Sequence, residues 1–213
     1  MFFGLTEEQE MIVGTVRSFV ENEIYPHENL VESKGSVPTE IAQDIKQKCI
    51  NLGFYACNFP ENIGGAGLNH LDFALVEREL GRGSMALTHF FGRPQNILMA
   101  CKDEQIEKYL LPAVRGDLMD ALAMTEPDAG SDVRGMKCFA KSEGSDWIVN
   151  GTKHFISGAE HADFIIVFIA TGEEKTEKGP KKKITAFLVD RGTPGFVIRD
   201  GYNSVSHKGY KNM

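Results

Sequence analysis

Apolar residues recur at two different periods along this chain, three to four residues apart before Gly116 and two apart after it. In the first half Ile12, Val16, Phe19, Val20 and Ile24 keep the spacing that lines one face of a helix. Thr6-Glu7-Glu8-Gln9 supplies its start, with Thr6 as N-cap and Gln9 reaching back. Pro26 is expected to close it. A second helix is predicted from Pro38, with Ile41, Ile45, Cys49 and Leu52 as its stripe and Gly53 as its stop. A third should start at Asn69 and carry Leu71, Ala74, Leu75 and Leu80 to Gly81. A fourth is expected from Ser84 to Cys101, kinked or broken by Pro94. A short fifth opens at Asp103, with Ile106, Tyr109 and Leu110 inward.

After Gly116 the candidate strands are Ala121–Met124, Cys138–Ser142, Trp147–Val149, His154–Ser157, Phe164–Ala170, Ile184–Val189 and Phe196–Arg199. Turn signals separate them at Glu143-Gly144-Ser145-Asp146, Asn150-Gly151, Gly158 and Gly192-Thr193-Pro194-Gly195. Trp147 to Lys153 reads as a strand entering an Asn-Gly hairpin turn. Helices first and strands second predict an α+β chain. An all-α helical domain over 1–119 should precede an antiparallel β-barrel or sandwich domain over 120–213.

The 213 residues are 42% hydrophobic, ample for a core, and the net charge is −7. A nucleic-acid binder should show a basic stripe, and the sequence has none. Cys49, Cys57, Cys101 and Cys138 have no C-x-x-C pairing or zinc spacing and read as small hydrophobes in a reducing compartment. Met1-Phe2-Phe3-Gly4-Leu5 is too short for a signal peptide, and no apolar run reaches the length of a membrane span. A soluble, intracellular chain is expected. His27, His70, His89, His154, His161 and His207 show no metal-ligand spacing, so no metal is expected. No G-x-G-x-x-G follows a strand, which leaves a nicotinamide site unsupported.

The densest chemistry lies in Ala121-Leu122-Ala123-Met124-Thr125-Glu126-Pro127-Asp128-Ala129-Gly130-Ser131-Asp132. A small-residue strand ends abruptly at Pro127. Ala129 and Gly130 would let a flat ligand approach the main chain, beside the hydroxyls of Thr125 and Ser131. A plain turn with Asp128-Ala129-Gly130 at its tip accounts for the same composition.

The whole string resembles the acyl-CoA dehydrogenase signature Ala-x-Ala-x-Thr-Glu-Pro-x-Ala-Gly-Ser-Asp at every fixed position. Asn150-Gly151-Thr152-Lys153-His154-Phe155-Ile156-Ser157 is similar to the family's Asn-Gly-x-Lys-x-Trp/Phe-Ile-Thr/Ser segment. Pro60-Glu61-Asn62-Ile63-Gly64-Gly65-Ala66-Gly67, by composition a surface loop, resembles its Pro-Glu-x-x-Gly-Gly-x-Gly loop, and Glu77-Arg78-Glu79-Leu80-Gly81 its next helix.

The resemblance implies FAD as cofactor and an acyl-CoA as substrate. Leu122, Met124 and Thr125 should then meet the flavin ring through main-chain groups and the Thr125 hydroxyl. Gly130 and Ser131 should sit near the FAD pyrophosphate, with Ser131 also a contact for acyl-CoA. Phe155 should pack against the isoalloxazine with Ile156 beside it, and Ser157 should hydrogen-bond near the reactive nitrogen. Thr88, Phe91 and Gln95 become candidates for the acyl pocket, against a reading of this region as ordinary core. The lysines of Thr171–Lys183, at 175, 178, 181, 182 and 183, are either a solvated hairpin or a contact for coenzyme A phosphates.

The implied reaction is α,β-dehydrogenation, with a carboxylate removing the α-proton and the β-hydrogen leaving as hydride to the flavin. An electron-transfer flavoprotein or similar acceptor, a homodimer or homotetramer, and a cytoplasmic or mitochondrial-matrix location go with it. Two positions depart from the commoner family residues, Phe155 for Trp and Ser157 for Thr. Relatives in this family are longer, and their C-terminal helical domain carries the base. No acidic residue here matches it, so no catalytic residue is expected and the chain reads as truncated. An acyl-CoA oxidase, a flavin monooxygenase or a non-catalytic binding protein would share these motifs.

Overall fold

A computed structural model describes residues 4–177, 179–202, 204–205, 207–211 and 213. The chain divides into a helical unit, Met1–Leu118 with Asn203–Tyr210, and a sheet unit, Met119–Tyr202 with Lys211–Met213.

In the helical unit α1 spans Glu7–Phe19 and opens on the expected capping box. The Gln9 amide donates to Thr6 Oγ1 at 3.2 Å, and the Thr6 amide to Gln9 Oε1 at 3.1 Å. Pro26 does not end the helix. A π turn at Val20–Ile24 leads directly into α2, Tyr25–Lys34. The widened turn lets the Tyr25 amide bond the Val20 carbonyl and puts Pro26 in the first turn of α2, where a missing N–H costs little. α3, Thr39–Asn51, buries Ile45 and Cys49, but Leu52 lies beyond its last turn and is exposed.

α4, His70–Leu80, starts where Asn69 accepts the Leu71 and Asp72 amides. Its core face is Leu75, Val76 and Leu80, while Leu71 and Ala74 face solvent. The buried Glu79 carboxylate joins α4 to α1 through Arg17 Nε at 2.9 Å and also takes Arg78 Nη2 at 2.8 Å. These hydrogen bonds, Arg17's first, lower its pKa against the opposing effect of burial. A buried carboxylate is tolerable only when matched in this way.

The expected fourth helix is three short pieces. α5 covers Met85–Thr88, a 3-10 turn His89–Phe91, and a second 3-10 turn Asn96–Ala100. Gly92 interrupts it at φ +83°, two residues before Pro94. Its carbonyl accepts the Ala56 amide at 3.0 Å, and the Tyr55 ring occupies the space a side chain would need. Beyond a π turn at Ile106–Leu110, which buries Tyr109 and Leu110, α6 runs from Leu111 to Arg115. The glycine-rich loop folds on itself, with Gly65 N–H to Pro60 O and Gly67 N–H to Phe59 O, above the fully buried Phe59 ring.

The sheet unit is built on β4, Phe164–Thr176. β5, Gly179–Asp190, pairs antiparallel along its whole length, with a register shift between Ala170 and Gly172. The opposite edge is shared. β1, Asp120–Ala123, runs parallel to Phe164–Val167, and β2, Phe139–Glu143, pairs parallel at Ala170. β3, Asp146–Asn150, forms a hairpin with β2 around Gly144-Ser145. The strand-rich second half is thus one mixed five-stranded sheet among the described residues. β1 and β4 run parallel because the β2–β3 hairpin lies between them in sequence and provides the long crossover such a pair needs. Ile165, Val167 and Ile169 pack with Ala121, Ala123, Cys138, Ala140 and Ile156.

Three local expectations fail in this unit. Asn150-Gly151 makes no hairpin; a Cβ at Gly151 would stand 2.2 Å from Cys138 Sγ, so this glycine permits a close approach rather than a reversal. His154–Ser157 and Phe196–Arg199 are not strands. The lysine-rich segment, by contrast, is a hairpin as the first of its two readings has it, the outer half of β4–β5. There Lys181 meets Glu174 at 3.6 Å and Lys182 Nζ donates to Met136 O, while Lys178 lies outside the described residues.

Substituting Gly92→Ala should destabilise the helical unit by about 2–4 kcal/mol, combining left-handed strain with the Tyr55 clash. Urea unfolding monitored by far-UV circular dichroism measures it. A loss under about 0.5 kcal/mol would contradict this packing.

Candidate functional site

β1 delivers the chain to Glu126, whose carboxylate is buried. It takes the Lys137 amide at 2.5 Å, the Cys138 amide at 3.1 Å and Lys153 Nζ at 2.7 Å. Pro127-Asp128 turn the chain tightly, with Glu126 and Ala129 exchanging both backbone hydrogen bonds at 3.0 and 3.2 Å. The carboxylate therefore closes the loop between β1 and β2 on itself. Lys182, donating to the Met136 carbonyl, pins the same loop from the hairpin.

Lys153 Nζ also donates to the Met124 carbonyl at 2.9 Å, and the His154 amide donates to the Thr125 carbonyl at 2.9 Å. The two motif stretches thus lie side by side, Met124–Glu126 against Lys153–His154. Burial alone would raise the Glu126 pKa, but hydrogen bonds from Cys138, Lys153 and Lys137 outweigh it and hold the group at about 2.

Beyond this pair the chain takes an uncommon shape. Phe155 adopts φ +59° and leaves its ring 54% exposed. That ring stacks on His154 at 4.0 Å and 19° and meets Tyr202 at 5.1 Å. Ile156 is buried, exchanging backbone hydrogen bonds with Met213 at 2.7 and 3.0 Å. A non-glycine residue in the left-handed region is a sparsely populated state that tends to mark functional sites.

The backbone bond ties Thr125 to His154, the residue that leads into Phe155, Ile156 and Ser157, while Leu122 in β1 and Met124 just after it are half-buried. Gly130 and Ser131 are exposed on the loop beyond the turn, and nothing stands within 4 Å of where a Cβ would project from Gly130. In the helical unit Phe91 is fully buried, between Phe19 at 5.3 Å and Phe54 at 6.0 Å, and Thr88 is buried. Gln95 is the exposed member of the three acyl-pocket candidates. Glu126, Lys153 and Tyr202 escaped the sequence reading as site residues. The first two lay inside the motifs, and their opposite charges within mostly small or apolar surroundings were the available signal. Among the described residues no group of three or more His, Cys, Asp or Glu could hold a metal ion, and no helix is long and apolar enough to cross a membrane.

Residues 6–117 match the acyl-CoA dehydrogenase N-terminal domain, and residues 121–213 match the middle domain of the same family. The chain belongs to the acyl-CoA dehydrogenase family. It is 38% identical over 195 residues to a 3-(aryl)acrylate reductase of Clostridium sporogenes, covering 89% of this chain and 49% of the relative. It is 33% identical over 201 residues to the caffeyl-CoA reductase-Etf complex subunit CarC of Acetobacterium woodii, covering 92% and 50%. A crystal structure of a glutaryl-CoA dehydrogenase from Mycobacterium smegmatis in complex with FADH2 superposes with a TM-score of 0.81 at 29% identity, covering 98% of this chain and 52% of that one. The chain spans about half the length of the curated relatives it matches.

The charge at Glu126 sets a pH dependence. Its folded pKa, about 2, lies below the ordinary 4.5, so its stabilisation is fully present above about pH 4.5 and is lost as pH falls through about 2. The shift corresponds to about 3 kcal/mol. Lys153→Met should destabilise the sheet unit by about 3–5 kcal/mol, because the carboxylate stays buried without its cation. Denaturant unfolding at neutral pH reads the loss, and the variant should show a smaller drop in stability on acidification than the parent.

Proposed function

We propose that this chain provides the helical and sheet portions of an FAD-dependent enzyme that carries out α,β-dehydrogenation of an acyl-CoA thioester. The buried Glu126–Lys153 pair carries the reading, because it sets Met124–Glu126 beside Lys153–His154, which lead directly into Phe155–Ser157. That edge combines hydroxyls at Thr125 and Ser157 with an exposed aromatic ring, a fit for a flat tricyclic ligand with ring nitrogens and carbonyls. The open space beside Gly130 and the Ser131 hydroxyl suit a pyrophosphate.

FAD supplies the hydride acceptor when bound. The chain's own residues bind and orient it. Phe155 offers its exposed ring to the isoalloxazine, the buried Ile156 anchors the chain next to it, and Leu122 and Met124 are the proposed main-chain contacts. Ser131 is also the contact proposed for acyl-CoA, and Gln95 the exposed candidate for the acyl pocket. No carboxylate among these residues is assigned as base. An electron-transfer flavoprotein is the proposed redox partner, supported by the Etf-associated relative. The free cysteines support a reducing compartment, the cytoplasm or mitochondrial matrix, and a homodimer or homotetramer is the proposed assembly.

The full-length polypeptide should bind FAD, and adding acyl-CoA anaerobically should bleach the oxidised flavin band. A protein that takes up no flavin, or whose flavin ignores every acyl-CoA offered, would refute the assignment. Phe155→Ala should weaken FAD binding about tenfold by fluorescence titration, the loss of one aromatic contact.

A further inference from the structure

We infer that Tyr202 and His154 form a positioning pair for the Phe155 ring, so that a hydroxyl outside both sequence motifs governs how this ring meets the flavin. The inference rests on the flavin reading above. His154 Nε2 and the Tyr202 hydroxyl lie 2.6 Å apart, one donating to the other according to the imidazole tautomer. The His154 backbone is already held by its amide bond to the Thr125 carbonyl. With the main chain fixed there, the hydroxyl sets the remaining freedom, rotation of the imidazole about its own side-chain torsions.

The imidazole plane in turn faces the Phe155 ring at 4.0 Å and 19°. Tyr202 touches both rings, at 5.2 Å from His154 and 5.1 Å from Phe155. Packing gain alone does not explain the cluster. Phe155 is 54% exposed and Tyr202 55% exposed, so about half of each side chain stays in water. Orientation is what the contacts fix. This ring sits on a left-handed backbone position, and the stacked imidazole with the Tyr202 ring chooses its rotamer. Tyr202 does not touch reacting atoms in this scheme and acts through His154.

The test uses Tyr202→Phe, which keeps the ring and removes the hydroxyl, in the full-length polypeptide. Before FAD is added, the aromatic NMR resonances of Phe155 should shift. With FAD, affinity should fall about fivefold, the loss of one hydrogen bond, and the visible circular dichroism of the bound flavin should change while the thermal midpoint stays put. In a His154→Ala background the same substitution should add nothing, since the two act as one unit. Unchanged Phe155 resonances and unchanged affinity in a flavin-binding protein overturn the positioning role alone. An equal loss with or without His154 also overturns it, because Tyr202 would then act directly. A wild-type protein that binds no FAD overturns the flavin reading, and the pair's purpose with it, whatever the resonances show.

Discussion

One carboxylate, that of Glu126, holds the sheet unit's polar edge together. It receives two consecutive backbone amides, Lys137 and Cys138, and an ammonium from Lys153. Burying such a charge is expensive, and it persists only when its lone pairs are filled. Here filling them does three things at once. The amides shut the loop that follows β1. The ammonium draws in the segment after β3. A second donor of the ammonium reaches the Met124 carbonyl, which fixes the two segments in register. An apolar pair of similar volume could match the stability. It could not reproduce the register, because it would leave the Met124 carbonyl and both amides without these partners.

Features settled within a few residues could be read from the sequence. Thr6 with Gln9, Asn69 before α4, and Gly144-Ser145 between β2 and β3 each answer to neighbours two or three positions away. Expectations failed where a distant contact decided the backbone. Gly92, against the Tyr55 ring, interrupts the helix two residues before the break expected at Pro94, whereas Pro26 failed for a local reason, the π turn just before it. Asn150-Gly151 has the composition of a hairpin turn, yet the thiol of Cys138 dictates its use. The parallel pairing of β1 with β4 joins residues more than forty apart, beyond the reach of turn chemistry.

The candidate site was legible as strings and opaque as geometry. The motifs marked Thr125, Phe155 and Ser157, and the structure sets their segments side by side. Neither motif disclosed why its own glutamate and lysine are there, since a pair separated by 27 residues has no local signature. The left-handed angle at Phe155 was equally hidden, because an aromatic residue is a poor choice for it. Tyr202 belongs to no motif and shows its relevance only through a ring contact.

Phe155 is the position where structural convenience gives least. A phenylalanine that served folding would be buried, and a residue that served a left-handed turn would be glycine or asparagine. This one accepts roughly 1 kcal/mol of backbone strain while leaving half its ring in water. The surroundings over-determine it: a buried ion pair two residues back, a core isoleucine immediately after, and stacked rings beside it. A rigid frame around an exposed apolar face is the arrangement that lowers the entropic penalty of seating a flat ligand, since neither the ring nor its backbone must be ordered on binding.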